Sequence, residues 1–170
     1  MSDEPGFHAS FVELFDAGFH RIFRYLDRLS GDPDLAADLA QETFMRLYRR
    51  GSLPDSPDAW LISVAMNLFR NARTTAARRR RLLARRWASP HGDPPASPAR
   101  VMESEATRRR VRAALDGLPE RERSLLLLRA EGYAYRDLAA ALGLNEASVG
   151  TLLSRARAMF RERYGVTIDA

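Results

Sequence analysis

The sequence contains no cysteine and no lysine, and it has only three histidines among 170 residues. Without cysteine the chain forms no disulfide and offers no thiolate to a metal. His8, His20 and His91 are too scattered to suggest a metal site. No apolar run reaches the roughly 18 residues that span a bilayer, and the acidic, polar start lacks the features of a signal peptide. We therefore predict a cytoplasmic protein with no membrane insertion, no cofactor and no metal.

The positive charge is carried by arginine alone and is unevenly distributed. The net charge is +5, yet no acidic residue occurs between Asp58 and Asp93. That span holds eight arginines: Arg70, Arg73, Arg78, Arg79, Arg80, Arg81, Arg85 and Arg86. Arginine stays charged and binds phosphate through two parallel hydrogen bonds. The segment is typical of a polyanion-binding surface; the alternative is a solvated helix end.

The chain divides at a proline-rich segment. The sequence WASPHGDPPASPA, residues 87–99, holds four prolines and has no apolar period, which is typical of a linker. No strand pattern occurs. We predict an all-α protein with a three-helix domain over residues 1–86, a flexible linker over 87–98 and a four-helix domain over 99–170. Fully extended, the linker reaches at most ~40 Å, so the two domains could bind separate sites on one partner.

Apolar periodicity and capping residues predict seven helices. The first runs from about His8 to Leu29, with Phe15 and Phe19 on its inner face. Asp32 and Pro33 open the second, which ends at Gly51. Ser56 and Pro57 open the third, which continues into the arginines. The last four cover about 99–116, 119–132, 134–142 and 145–163.

The second helix carries an outward row besides its apolar stripe. The predicted inward residues are Leu35, Ala36, Leu39, Ala40, Thr43 and Leu47. Asp38, Gln41, Met45 and Tyr48 share another face, and Phe44 lies at its edge. A mixed polar and apolar row suits docking against partner helices. The alternative is that Met45 and Tyr48 pack on neighbouring helices.

The last two helices match a helix-turn-helix. Gly143 supplies the turn and Asn145 caps the final helix, whose predicted buried residues are Val149, Leu153, Ala156 and Phe160. Its exposed face then presents Ser148, Thr151 and Arg155, with Ala147 and Ser154 beside them. Such a face enters the DNA major groove in this motif. The alternative is a helical hairpin that binds nothing.

Three blocks, DLAQETF, AWLISVAMNLFRNAR and LDGLPERERSLLLLRAEGYAYRDLAAALGL followed by SRAR, together resemble the extracytoplasmic-function group of bacterial sigma factors. The resemblance covers residues 11–163. It implies two domains, region 2 and region 4, which bind core RNA polymerase and read the −10 and −35 elements of promoter DNA. An anti-sigma protein is a further expected partner. The C-terminal block alone also resembles LuxR-type output domains.

The resemblance assigns residues to three surfaces. The polymerase-binding set is Asp38, Gln41, Glu42, Phe44, Met45 and Tyr48. The −10 set is Asn67, Arg70, Asn71 and Arg73, with Arg78, Arg79, Arg80 and Arg81 on upstream backbone. The −35 set is Arg136, Ser148, Thr151, Ser154, Arg155 and Arg157. The loop before the third helix, within residues 49–60, could accept a flipped base, whereas Trp60 is expected in the core.

The sequence departs from the family in two places. Asn71 stands where the family has aspartate, which leaves the role of that position open. The family's GTVKSRL appears as ASVGTLL, so that Gly150 and Leu152 replace a lysine and an arginine. Losing two cations should weaken phosphate binding, so −35 recognition is expected to be weaker or to use different bases.

Three other classes of function are weighed against a sigma factor. A stand-alone LuxR-like helix-turn-helix regulator would bind DNA without polymerase. A mimic that sequesters an anti-sigma protein would support no transcription. An enzyme is not expected, because the sequence shows no paired acid and base, no phosphate loop and no metal cluster, and we assign no catalytic residue.

Overall fold

The computed structural model describes residues 5–84 and 99–166, and every regular element in these ranges is an α-helix. Side chains are described for residues 6–84 and 104–165. The predicted linker, His91, Arg85 and Arg86 lie outside the described residues. The prediction of an all-α chain of seven helices is confirmed. None of the described helices is long and apolar enough to cross a membrane.

The N-terminal half consists of α1 (Pro5–Ser30), α2 (Pro33–Arg50) and α3 (Pro57–Ala84). The capping residues predicted from the sequence are found at both ends of α2. The Asp32 carboxylate accepts hydrogen bonds from the backbone N–H groups of Asp34 and Leu35, both at 3.1 Å, and Gly51 ends the helix with a φ of 71°. The buried face of α2, which includes Ala36, Ala40 and Leu47, packs against α1 and α3 and sets which side chains point outward.

The C-terminal half consists of α4 (Ala99–Asp116), α5 (Glu120–Ala130), α6 (Tyr135–Leu142) and α7 (Glu146–Val166). The turn between α6 and α7 forms as predicted: Gly143 has a φ of 66°, and the Asn145 side chain accepts the Ala147 N–H at 3.0 Å. Helices α4, α5 and α6 all pack against α7.

One buried apolar cluster runs through both halves. Helix α1 contacts α5, and α3 contacts α6. The expectation that the two halves present separate, open surfaces is therefore wrong for the faces that meet. The expectation for α1 also needs correction, since it begins at Pro5 rather than His8 and Phe15, predicted to be inside, is 38% exposed.

Candidate protein and nucleic-acid interfaces

The outward row of α2 lies on the surface, as its spacing predicts. Asp38 and Gln41 are exposed, and Met45 and Tyr48 are 39% and 50% exposed. Glu42 is half-buried beside the row. Its Oε1 pairs with Arg46 at 3.1 Å and with Arg49 at 3.3 Å. The predicted inward residues are buried or half-buried: Leu35, Ala36, Leu39, Ala40, Thr43 and Leu47. The row therefore lies outside the core, although the Tyr48 ring also contacts α1, so the alternative of packing on a neighbouring helix holds in part for Tyr48.

Phe44 does not belong to this surface. Its side chain is 2% exposed, and its ring lies 5.2 Å from that of Phe15 and 5.8 Å from that of Phe19. The placement at the edge of the outward row was wrong, because the aromatic residues of α1 draw the ring inward. A contact between Phe44 and a docked partner is not available in this conformation.

An aromatic column on α1 extends the α2 surface and was missed. Phe7, Phe11 and Phe15 follow at steps of four, with ring centroids 6.1 and 6.3 Å apart. The Tyr48 ring meets the Phe11 ring edge-on at 5.3 Å, and Val12 is 42% exposed. The four-residue spacing was visible, but a phenylalanine stripe usually marks a core. The partly exposed rings form an apolar patch beside Met45 and Tyr48.

The third helix exposes the −10 set: Asn67, Arg70, Asn71, Arg73, Arg78, Arg79, Arg80 and Arg81. Arg70, Arg73 and Arg80 line one open groove of about 620 Å³ together with Thr74 and Ala77. Successive residues turn about 100° around a helix. Arg78 to Arg81 therefore point in several directions around the helix, and their contact with upstream backbone stays a prediction.

Part of this surface is engaged by the C-terminal half. The Arg70 Nε lies 2.5 Å from a carboxylate oxygen of Glu120, at the start of α5. Met66, one turn earlier, is buried, and Asn67 lines a cleft of about 550 Å³ that it shares with Leu142 and Gly143. The helix-turn-helix thus lies against the first part of the predicted −10 surface.

Trp60, in the first turn of α3, is half-buried and packs on the core, as predicted. The preceding loop exposes Gly51, Ser52, Leu53, Asp55 and Ser56. Acceptance of a flipped base by this loop stays a prediction.

Helix α7 presents an open polar face. Val149, Leu153 and Ala156 are fully buried, as the sequence predicts, and Phe160 is half-buried against them. The −35 set lies on the exposed side: Arg136, Ser148, Thr151, Ser154, Arg155 and Arg157. Contacts of these residues with bases stay predictions.

The two family departures differ in their surroundings. A Cβ at Gly150 would lie 3.7 Å from the ring of Tyr135, an ordinary van der Waals contact, so a side chain fits there. Leu152 is half-buried and packs against the core. Its replacement of arginine therefore adds apolar contact as well as removing charge.

The shifted pKa values lie at the junction of the two halves. Burial raises the pKa of Tyr25 to about 12, raises that of Tyr133, and raises that of the Asp58 carboxyl against the opposing effect of Arg21. In the described part of the chain no group of acidic or histidine side chains could hold a metal.

An all-α fold that exposes an arginine-bearing helix and a helix-turn-helix is typical of a helical DNA-binding protein. The family models for sigma-70 region 2 and sigma-70 region 4 match residues 14–79 and 108–160. The chain therefore belongs to the sigma-70 family of RNA polymerase sigma factors, in its extracytoplasmic-function group. The LuxR-like alternative is not supported, because the N-terminal half matches region 2.

Curated relatives agree with this family. ECF RNA polymerase sigma factor SigE of Mycolicibacterium smegmatis is 30% identical over 159 residues, which cover 90% of this chain and 61% of that protein. EcfG of Rhodopseudomonas palustris is 36% identical, covering 75% of this chain and 68% of the relative. The sigma-H factor of Pseudomonas aeruginosa is 31% identical, covering 86% and 79%. This chain thus spans about three fifths to four fifths of their lengths.

A solved structure shares the fold. The sigma factor RpoE, crystallised with the anti-sigma factor NepR from Bartonella quintana, superposes with a TM-score of 0.63 at 23% identity, covering 91% of this chain and 96% of that one. At this identity the likeness concerns the fold alone.

Proposed function

We propose that this chain is a promoter-recognition subunit that binds core RNA polymerase through α2, the −10 element through α3 and the −35 element through α7. The observation that carries the proposal is the face of α2. Asp38, Gln41, Met45 and Tyr48 stay exposed on a helix whose opposite face is buried. Exposed Met45 and Tyr48 beside the partly exposed rings of α1 form a contiguous apolar patch, which is typical of a protein-binding surface.

The α2 surface suits a helical protein partner. Met45 and Tyr48 supply apolar contact area, and the adjoining ring of Phe11 widens it. Asp38 and Gln41 supply an acceptor and an amide at its polar side. A central apolar patch with a polar rim is the usual arrangement of a protein interface.

The α3 and α7 surfaces suit the two states of promoter DNA. Arg73 and Arg80 line an open groove that would follow the phosphates of an unpaired strand. Ser148, Thr151 and Arg155 on α7 are short or cationic side chains that would reach base edges and phosphates in the major groove. The proposed role is binding and strand capture, not chemical catalysis.

The cellular setting is part of the same proposal. A polymerase subunit acts where the chromosome is, in the bacterial cytoplasm. The fold neighbour from Bartonella quintana was solved with an anti-sigma factor, and we extend that kind of partner to this chain. The exposed aromatic column of α1 is a surface on which such a protein could compete with polymerase.

The first test measures polymerase binding. Asp38→Arg combined with Gln41→Ala should abolish co-purification with core polymerase and leave the thermal unfolding temperature unchanged. Glu105→Arg, a charge reversal on α4 at an exposed pair with Arg109, is the control and should bind normally. Unchanged binding by the α2 variant would remove the main support for this proposal.

The second test is transcription in vitro with core polymerase and genomic templates, followed by sequencing of the RNA 5′ ends. We expect a shared pair of upstream elements in front of the start sites. Polymerase binding without promoter-dependent transcripts would favour the sequestering mimic instead.

A further inference from the structure

A buried carboxylate joins the two halves. Glu131 lies at the end of α5, and its side chain is only 3% exposed. Its Oε2 accepts a hydrogen bond from Arg24 and its Oε1 from Arg28, both at 2.7 Å. Arg21 donates to the backbone carbonyl of Glu131 at 3.1 Å. Three arginines from successive turns of α1 thus converge on one residue of the other half.

Each half also stabilises a helix end of the other. The arginines of α1 reach the C-terminal end of α5, and Arg112 of α4 donates to the carbonyls of Arg28 and Leu29 at the end of α1, both at 3.1 Å. Cations are favourable there because the last carbonyls of a helix lack intrahelical partners and carry partial negative charge. This reciprocal arrangement depends on the two halves being closed.

Buried polar groups pair at the centre of the junction. The hydroxyl groups of Tyr25 and Ser124 are 3.1 Å apart and buried. The Arg21 guanidinium lies 3.8 Å from the centroid of the Tyr133 ring. Buried polar groups that pair across a boundary favour one relative placement of the two halves, since any other leaves them unpaired.

The same closure covers part of the −10 surface. Glu120 pairs with Arg70, so a carboxylate occupies a guanidinium that DNA phosphate would otherwise bind. Ala141, Leu142 and Gly143 line the cleft beside Asn67. The outward row of α2 and the polar face of α7 stay exposed.

We infer that the chain alone is held in a self-inhibited, closed conformation by a latch, defined as Glu131 with Arg24 and Arg28, and that promoter −10 binding requires the latch to open. The role of the covered surface rests on the proposed function; the closure does not. Opening would release Arg70 and Asn67 together.

Small-angle X-ray scattering of the full chain without partners tests the closure. A compact chain of this length has a radius of gyration of about 16 Å. Glu131→Arg should raise the radius by about 5 Å, the size expected for two tethered bundles of this length. Adding Arg24→Glu and Arg28→Glu should restore the compact value by reversing the charges. Glu162→Arg, on the exposed side of α7, is the charge-matched control and should stay compact. A wild-type chain that is already extended, or a Glu131→Arg chain that stays compact, overturns the latch.

Fluorescence anisotropy with a labelled single-stranded DNA 20-mer tests the masking. Glu131→Gln and Glu162→Gln change the charge equally, but only the first should bind at least about threefold more tightly than wild type, through a larger open population. Equal affinities for an expanded Glu131→Gln and for Glu162→Gln would show that closure does not mask the strand surface.

The outcomes separate the two proposals. Unchanged polymerase binding by the α2 variant would overturn the proposed function and leave the scattering result intact, whereas a failed latch would leave polymerase binding intact. Circular dichroism of each variant checks that the helices are retained.

Discussion

The outward faces of α3 and α7 carry the two sets of predicted DNA contacts, yet the fold treats them differently. The first turns of the α3 face lie against the C-terminal half, with Arg70 paired to Glu120 and Met66 buried. On the α7 face Ser148, Thr151 and Arg155 are exposed among the residues that the structure describes. Two surfaces of similar chemistry therefore differ in availability within the same chain.

The two faces differ in availability because different charged residues lie beside them. Residues 59–84 contain no acid, so the arginines of α3 have no carboxylate beside them on their own helix, and Arg70 pairs with Glu120 of the other half. Helix α7 carries mainly short polar and apolar side chains over its first two turns, and its first arginine, Arg155, lies in the third. A cationic surface that binds DNA phosphate thus also attracts carboxylates of the same chain.

The largest expected effect tests whether the halves unfold together. Leu61 on α3 and Leu153 on α7 are fully buried in one continuous cluster. Either leucine replaced by alanine should cost about 2–5 kcal/mol, and each should lower a single calorimetric transition, because the halves share a core. Two transitions, with each variant lowering only one, would mean that α3 and α7 belong to independent units. Leu82→Ala, at an exposed leucine, is the control.

The next effect concerns the buried hydroxyl pair between the halves. Tyr25→Phe leaves the Ser124 hydroxyl without its partner and should cost about 1 kcal/mol. Because burial raises the pKa of Tyr25 to about 12 in the folded chain, against about 10 when unfolded, its contribution is complete below pH 10 and is lost as pH rises through 12. Denaturant titrations from pH 9 to 12 should show a smaller decline for Tyr25→Phe. An identical decline in both proteins would refute the role of Tyr25.

A smaller effect compares free and paired arginines directly. Arg73→Ala and Arg155→Ala should each lower the slope of log affinity against log salt by about 0.7–0.9 for DNA binding by the chain alone. Arg70→Ala should lower it less, since DNA phosphate must compete with Glu120 for Arg70. Equal slopes for Arg70→Ala and Arg73→Ala in anisotropy titrations would indicate that α3 is as open as α7.

The smallest expected effect concerns DNA binding by α7. Gly150→Lys restores the family's cation and fits beside Tyr135, so DNA affinity at low salt should rise about threefold with a steeper salt dependence. Gly150→Ala should gain only helix stability, up to about 1 kcal/mol. If both variants bind DNA like wild type, position 150 does not face phosphate.

Local features of the fold were predictable where local chemistry decides them. The capping by Asp32, the left-handed Gly51 and Gly143, and the buried face of Val149 and Leu153 all follow from rules that span one or two helical turns. The outward row of α2 was found for the same reason, since three- and four-residue steps place side chains on one face.

The errors arose where distant segments meet. Phe44 turned inward because three phenylalanines of α1, Phe11, Phe15 and Phe19, lie against its ring, and no pattern within α2 reveals that contact. Glu131 gave no signal either, because its arginine partners lie more than a hundred positions away. Arg70 was correctly placed on the surface, but its pairing with Glu120 depends on how the halves dock.

The sequence alone determined the seven helices, their caps, the polar rows on α2 and α7, and the family, because those properties follow from side-chain spacing over short distances. Only the tertiary structure decided that the halves close on each other, since ion pairs such as those of Glu131 require charges to meet in space. Periodicity fixes which way a side chain points from its own helix, whereas packing decides what it meets there.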